Sequence, residues 1–129
     1  MSKAAKSILV FAVYLVGMGA GLVAAPNLVL GPLGFPPVTD VWSRVAGGLA
    51  LVLAFYYAQA ARAELRPFMR WTVYTRVAVF VFFTGLVIAG QAGPTLIALG
   101  AVDLAAAGWT AWALRQDSQP VASRAAGRA

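Results

Sequence analysis

The sequence contains no cysteine and no histidine among its 129 residues. Without cysteine the chain cannot form disulfides, use a thiol nucleophile or hold an iron–sulfur cluster. Without histidine it lacks the usual ligand of zinc and haem iron, and the base of every histidine-dependent triad. These two absences exclude most metal, redox and hydrolytic chemistry, so the sequence predicts no cofactor and no enzymatic activity.

Charge is also scarce, because charged residues make up 11% of the chain and hydrophobic residues 61%. Soluble domains carry about 25% charged and roughly 45–50% apolar residues. So few charges cannot cover a water-facing surface, which excludes a soluble globular domain, and the high hydrophobicity excludes intrinsic disorder. The composition is that of a membrane protein.

Four segments have the length of about 20 mostly apolar residues that a membrane-spanning helix requires. They are residues 7–25, 41–61, 72–90 and 95–114. Lipid offers the backbone no hydrogen bonds, and the two-residue alternation of β-barrel strands is absent, so each segment is predicted to be helical. The sequence therefore predicts an all-α integral membrane four-helix bundle, a single domain over 1–115 followed by a flexible polar cytoplasmic tail over 116–129.

The first segment also has features of a cleaved signal peptide, because Lys3 and Lys6 precede it and small residues end it. However, Pro26 would follow the cleavage site, where proline is a poor fit, and the apolar run is long for a signal peptide. We therefore expect the first segment to be retained as a membrane span.

The basic residues outside the four segments all lie on one side of the predicted topology, because the connections 26–40 and 91–94 contain none. Cytoplasmic loops are enriched in Lys and Arg, so both termini are predicted to be cytoplasmic. The same distribution explains the net charge of +6 without a nucleic-acid partner. The residues concerned are Lys3, Lys6, Arg62, Arg66, Arg70, Arg115, Arg124 and Arg128.

The two longer connections differ in character. In the cytoplasmic one, Arg62, Arg66 and Arg70 are predicted to bind anionic lipid headgroups. Glu64 is expected to form exposed ion pairs with these arginines. The outer connection 26–40 is rich in proline, glycine and large apolar residues, so it is predicted to lie on the membrane surface or to cap the bundle. Its role is either a lid, a docking surface or a plain connector.

Three charged residues, Arg44, Arg76 and Asp103, fall inside the predicted spans, where such residues usually face the bundle interior. A rise of about 1.5 Å per helical residue places Arg76 and Asp103 at similar depth and Arg44 near the outer face. We expect Arg76 to pair with Asp103 and Arg44 to reach outward or to carbonyls of the outer loop. The rival arrangement pairs Arg44 with Asp103. The resulting intramembrane polar site is either a structural ion pair or a site for a headgroup, a quinone or a proton.

Helical spacing assigns neighbours to each of these charges. Thr110 shares the face of Asp103, Thr72 shares the face of Arg76, and Phe55 shares the face of Arg44. In the first span, Gly17 and Gly21 form a G-x-x-x-G pair, which ordinarily serves close helix packing. The faces converge on an interior that is predicted to be tightly packed.

Other polar and aromatic side chains divide between the interior and the lipid. Trp109 and Trp112 lie on the side of the fourth span opposite Asp103, so they are predicted to face lipid. Possible ligand-lining side chains, which would add hydrogen bonds at the polar site, are Tyr14, Tyr56, Tyr57 and Gln59.

The stretches LGFPP, WSRVAGGLALVLAFYY, PFMRWTVYTR and LGAVDLAAAGWT are spread over roughly residues 8–115. They resemble an uncharacterised family of small bacterial four-span integral membrane proteins. The topology is also similar to that of DoxX-like proteins, as architecture only. This resemblance implies the four-helix fold and the membrane location, and it carries no activity to this chain.

Two functions of different class follow from these features. The small size, the charge in the fourth span and the apolar outer loop favour a non-catalytic accessory or stabilising subunit of a larger membrane complex, or a homo-oligomer, surrounded by membrane lipids. The alternative is a binding or transport module for a lipid, a quinone or another hydrophobic small molecule, which requires a cavity near the three intramembrane charges. An enzyme is disfavoured because no paired carboxylates, nucleophile motif or metal cluster accompanies Asp103.

Overall fold

The structure, a computed structural model, describes residues 1–119 and residue 127. Within these residues the chain is all-helical, with five α-helices and one short 3-10 helix. Four of the α-helices are long and apolar enough to cross a membrane, in agreement with the four predicted spans. The elements are α1 (Lys3–Ala24), α2 (Pro26–Leu30), the 3-10 helix (Gly31–Leu33), α3 (Trp42–Arg62), α4 (Arg66–Ile88) and α5 (Thr95–Asp117).

Three of the long helices extend beyond the predicted spans at the same end of the molecule. α1 begins four residues earlier than expected because Ser2 caps it, accepting a hydrogen bond from the Ala5 amide. Pro67 lies in the first turn of α4, where a missing N–H costs nothing, so the turn between α3 and α4 is only 63–65. α5 continues to Asp117, so the predicted tail starts later than residue 116, and most of it lies outside the described residues.

The long helices do not all pack against one another. α1 packs extensively against α3 and also against α5, and α5 packs against α4. α4 makes few contacts with α1, and α3 makes almost none with α4, although the two are joined by a tight turn. The helices therefore follow the order α3, α1, α5, α4 around the bundle, and the edge between α3 and α4 is open. This open edge positions the candidate site.

The closest helix contact lies between α1 and α3. A Cβ atom on Gly19 would lie 2.8 Å from the Gly47 carbonyl oxygen, and one on Gly47 would lie 2.7 Å from the Gly19 carbonyl oxygen. Gly17 and Gly21, which the sequence predicts to serve close helix packing, lie outside this contact. A Cβ on Gly17 would meet no atom within 4 Å, and Gly21 faces Val29 of α2 instead.

The end of the bundle that carries the N-terminus is closed and held by polar contacts. The Ser2 amide donates to Glu64 Oε1 at 2.7 Å, the Ala4 amide donates to Asp117 Oδ2 at 2.9 Å, and Arg66 donates to the Leu114 carbonyl at 3.3 Å. The Ser2 hydrogen bonds hold the pKa of Glu64 below its usual range. Glu64 thus binds the start of α1 rather than the arginines with which it was expected to pair. Small side chains such as Ala5, Ala61 and Ala113 fill the core at this end.

The opposite end is crossed by the 26–40 connection. Asn27 and Val38 exchange two hydrogen bonds, of 3.2 and 2.8 Å, which close the connection into a compact loop. The 3-10 helix contacts α5, so the loop passes from the end of α1 towards the start of α5. Its position fits the predicted cap over the bundle, although Leu28 remains 80% exposed.

Candidate functional site

A cavity of about 490 Å³ lies inside the bundle beside the open edge between α3 and α4. Its wall comes from α1, α3 and α4, with Leu99 and Asp103 contributed by α5. Most of the wall is apolar, and its volume falls in the range of small-molecule sites. Six aromatic side chains form a large part of it, namely Phe11, Tyr14, Tyr57, Phe68, Trp71 and Phe83.

The cavity wall reaches the outside of the bundle between α3 and α4. At the N-terminal end, the Tyr57 and Phe68 rings stand edge to face with centroids 5.4 Å apart, and they join α3 to α4 there. The wall residues Leu53 on α3 and Trp71 on α4 are 49% and 62% exposed.

Arg76 is the most deeply buried charged residue in the described chain, with 2% of its surface exposed. Its Nε donates to the Thr72 carbonyl at 3.0 Å, and its Nη2 donates to the hydroxyls of Thr72 and Thr110, each at 2.9 Å. The Thr110 hydroxyl also shares a hydrogen bond of 2.8 Å with Ser7. The guanidinium further lies 4.9 Å from the centroid of the Phe11 ring, within cation–π range. One edge of the guanidinium is thus held rigidly by α1, α4 and α5.

The other edge of the guanidinium is not engaged. Nη1 of Arg76 is buried and has no hydrogen-bond partner among the described residues. An unsatisfied charged donor in an apolar interior is costly, so a polar acceptor placed beside Nη1 would be stabilised. Since Arg76 lines the cavity, its positive charge attracts ligand atoms that carry negative charge there.

Asp103 lines the same cavity and is 9% exposed, but it does not form the ion pair with Arg76 that the sequence predicts. Instead, the hydrogen bonds of Arg76 go to Thr72, one turn earlier on α4, and to Thr110 on α5. Because these hydroxyls already hold the guanidinium, its reach towards Asp103 is limited. The prediction that the two charges share one site is compatible with their common cavity.

Arg44 does not belong to this site. It donates to the carbonyl of Val23 in the last turn of α1, rather than to the outer loop, and it does not pair with Asp103. It lines a separate polar cavity of about 300 Å³ together with Asn27 and Asp40. The predicted group of three intramembrane charges is therefore divided between two places. The position of Arg44, two residues after Trp42, already predicted that it lies near the outer end of its span.

The predicted ligand-lining residues divide in the same way. Tyr14 and Tyr57 line the cavity, whereas Tyr56 and Gln59 are exposed and take no part in its wall. Neighbouring residues on a helix point about 100° apart, so with Tyr57 inward Tyr56 must face out. Phe55 is likewise 59% exposed, and Arg44 is exposed too, so the face that they share does not point inward.

Sequence reasoning missed three aromatic residues of the cavity wall, Phe11, Phe68 and Trp71. The only sequence signal for Phe11 is its position three residues before Tyr14, which places both side chains on one face of α1. Phe68 lies on the face of α4 four residues before Thr72. Trp109 and Trp112 are 43% and 53% exposed, as expected for side chains directed away from the core.

The basic residues Arg62, Arg66 and Arg70 lie at the closed end of the bundle. Arg62 and Arg70 are exposed, while Arg66 is tied to the end of α5 through its hydrogen bond to Leu114. Binding of lipid headgroups by these residues stays a prediction. Within residues 1–119, no group of three or more acidic side chains is placed to hold a metal ion.

No family model, no curated protein and no solved structure matches this chain. The resemblance to small four-span bacterial proteins, and the DoxX-like topology, therefore stay predictions. The functional argument for this protein rests on the cavity and its side chains.

Proposed function

We propose that this protein is a multi-pass integral membrane protein that binds a lipid, a quinone or another hydrophobic small molecule in the cavity beside Arg76. We further propose that it resides in the cytoplasmic membrane of a bacterium, with both termini in the cytoplasm. No catalytic role is proposed.

Membrane insertion is supported by what the long helices expose. Large apolar side chains stand out from all four, among them Val13 (68% exposed), Leu49 (62%), Phe82 (62%) and Ile88 (82%). An apolar surface of this extent is unfavourable in water and favourable in lipid. The closed end carries Lys3, Lys6 and the arginines of the 62–70 segment, and this concentration of positive charge supports a cytoplasmic position for that end.

Ligand binding is supported by the half-open cavity with an unengaged guanidinium edge, which is the single observation that carries the proposal. Sites for small molecules are mostly apolar and contain a few well-placed polar groups. Here the aromatic wall suits an apolar body, and the polar groups are the charged Arg76 and Asp103 with a few hydroxyl groups. The open edge between α3 and α4 gives a path along which a molecule dissolved in lipid reaches the cavity without crossing water.

A filling substitution tests this proposal. Ala50 lies on the cavity wall, whereas Ala101 of α5 is exposed, outside the wall and on the side of its helix away from Asp103. We expect Ala50→Phe to weaken ligand retention about tenfold because overpacking of a filled site costs roughly 1–3 kcal/mol. Ala101→Phe adds the same bulk away from the cavity and should leave retention unchanged. The measurement is native mass spectrometry of the protein released from nanodiscs, which reports bound lipids and other small molecules directly.

Equal retention by the two variants and the wild type would contradict the binding proposal. The second candidate function is then the accessory subunit predicted from the sequence. It is favoured by α4, whose buried residues are only Met69, Thr72 and Arg76, so that most of this helix is available to another subunit. A protein partner in stoichiometric amount in the same spectra, without a small molecule, is the result that supports this candidate.

A further inference from the structure

The cavity contains two polar groups whose unused hydrogen-bonding capacities are of opposite kind. Nη1 of Arg76 offers two hydrogens and has no partner among the described residues. The Asp103 carboxyl group offers acceptor oxygens, and no hydrogen bond from the described chain reaches it. The two groups come from α4 and α5 and line the same space. A ligand head in this space therefore meets a donor at Arg76 and an acceptor at Asp103, beside the hydroxyl groups of Tyr14, Tyr57 and Thr75, which can donate or accept.

We infer that the cavity selects an amphipathic lipid-like molecule with an uncharged head, which presents an acceptor oxygen to Arg76 and a hydroxyl or amide hydrogen to Asp103. Monoacylglycerols, and long-chain molecules that carry a carbonyl and a hydroxyl group, belong to this class. This inference rests on the proposed function, which supplies the ligand site, and it adds the chemistry of the head.

The charges of the site favour an uncharged head. A carboxylate or phosphate head would be attracted by Arg76, but it would lie beside the oxygens of Asp103. An ammonium head would be attracted by Asp103, but it would lie beside a guanidinium that is already held in place by Thr72 and Thr110. An uncharged head with both functions satisfies both groups and brings no further charge into an apolar cavity, where charge is costly.

The remainder of the wall fits the tail of such a molecule. Beyond the two charges, α1 contributes Leu15 and Met18, α3 contributes Leu53, and α4 contributes Val79. These side chains make this part of the wall apolar, which suits a flexible hydrocarbon chain. Because the edge between α3 and α4 is open, such a chain could extend past it into surrounding lipid, and the cavity volume would not limit its length.

Four probes with the same lauroyl or dodecyl tail test the inference: monolauroylglycerol, methyl laurate, laurate and dodecane. Binding to the full-length protein in nanodiscs is measured by quenching of tryptophan fluorescence with bromine-labelled forms of the probes. Trp71 on the cavity wall provides the signal, and Trp71→Phe identifies the part of the quenching that arises there. We expect monolauroylglycerol to bind about tenfold more tightly than methyl laurate, which lacks a donor, and more tightly than laurate.

The substitution Asp103→Asn removes the charge and keeps the shape of the side chain. We expect it to raise the Kd of monolauroylglycerol several-fold, because a hydrogen bond to a charged carboxylate becomes a weaker one to a neutral amide, and to lower the Kd of laurate. Asp40→Asn makes the same chemical change in the outer loop, outside this cavity, and should alter neither value. The ranking of the four probes is measured without any substitution of Asp103, so the test does not depend on how well Asp103→Asn folds.

Three results would overturn the inference, and they differ in what they leave standing. Tightest binding of laurate would mean that Arg76 recognises an anionic head and that Asp103 plays no part. Equal binding of monolauroylglycerol, methyl laurate and dodecane would leave the hydrophobic binding function intact and remove selection by the head. Absence of Trp71 quenching by every probe would contradict the binding function itself.

Discussion

At the scale of single residues, hydroxyl groups are the side-chain hydrogen-bond partners of the buried guanidinium of Arg76. A guanidinium in an apolar interior needs partners for its hydrogens, and an opposite charge is only one way to supply them. Thr72 and Thr110 hold Arg76 from α4 and α5, and the Phe11 ring lies against its face. This leaves Asp103 and one edge of Arg76 uncommitted within the cavity, so the two charges are available to a third group.

Thr110 is the residue whose loss tests this arrangement most directly. Thr110→Val keeps the shape of the side chain but removes the acceptor of Arg76 Nη2 and the partner of Ser7. Nη2 keeps its hydrogen bond to Thr72, so one of its two hydrogens is left unsatisfied. We expect the free energy of unfolding to fall by about 1–3 kcal/mol because this hydrogen is buried and belongs to a charged group. The measurement is equilibrium denaturation in detergent micelles followed by circular dichroism.

Thr84→Val is the matched control, because the Thr84 hydroxyl donates only to the Phe80 carbonyl in its own helix. Its effect should stay within about 0.5 kcal/mol, as for substitutions away from a packing or hydrogen-bonding feature. Equal losses for the two valine variants would mean that the Arg76 network contributes nothing beyond the loss of a hydroxyl.

At the scale of helices, the α1–α3 interface depends on one pair of glycines. The carbonyl of Gly19 approaches the Cα position of Gly47, and the reverse is also true. Where backbones approach this closely, helices gain van der Waals contact that larger side chains prevent. α3 packs against α1 and makes almost no contact with α4, so the cavity edge between α3 and α4 remains open.

The adjacent residues Gly47 and Gly48 give a matched pair for testing this contact. A Cβ on Gly47 would lie 2.7–2.9 Å from backbone atoms of α1 and from the Leu22 Cβ, whereas a Cβ on Gly48 would meet nothing within 4 Å. We expect Gly47→Ala to lower the free energy of unfolding by about 1–3 kcal/mol through overpacking. Gly48→Ala should be neutral or stabilising by up to about 1 kcal/mol, because alanine favours helix.

The same denaturation measurement distinguishes the two alanine variants. Similar stability of both would show that α1 and α3 separate easily, and that the close contact of Gly19 with Gly47 does not hold the bundle. A further check is ligand retention, since a shift of α3 would also change the cavity edge.

At the scale of the whole molecule, the two ends of the bundle and the side between α3 and α4 differ in packing and in openness. The N-terminal end is packed with small residues and tied by Glu64, Asp117 and Arg66. The opposite end is crossed by the compact 26–40 loop, beside the polar cavity at Arg44. Among the described residues, the aromatic cavity lies beside the open edge between α3 and α4, which suits a molecule that arrives from lipid.

The proposed orientation is testable by cysteine labelling, because the chain has no cysteine of its own. Gln91 and Ala63 are exposed residues of turns at opposite ends of the bundle. We expect Gln91→Cys to react with a membrane-impermeant maleimide on intact spheroplasts and Ala63→Cys to react only after lysis, since basic loops stay in the cytoplasm. The reverse pattern would invert the topology, and equal reactivity of both sites before lysis would argue against a spanning bundle.

The sequence by itself determined the helical class, the four long apolar helices and the positions of the three charges within them. These properties are local, because span length, hydrophobicity and the absence of cysteine and histidine are read from neighbouring residues without knowledge of contacts. The helix ends were less accurate, because caps such as Ser2 and the first-turn position of Pro67 carry helices past their apolar segments.

Only the tertiary structure decided which residues meet. Helix periodicity places Thr110 beside Asp103 on α5, but it does not reveal that Arg76 of α4 reaches that threonine rather than the carboxylate. Likewise, the sequence does not reveal that Gly19 and Gly47, rather than the G-x-x-x-G pair Gly17 and Gly21, form the close contact between helices. Both depend on the rotation and separation of packed helices, which arise from the sum of many weak side-chain contacts across the bundle. The cavity is a property of that packing, because it exists only where α3 and α4 fail to meet.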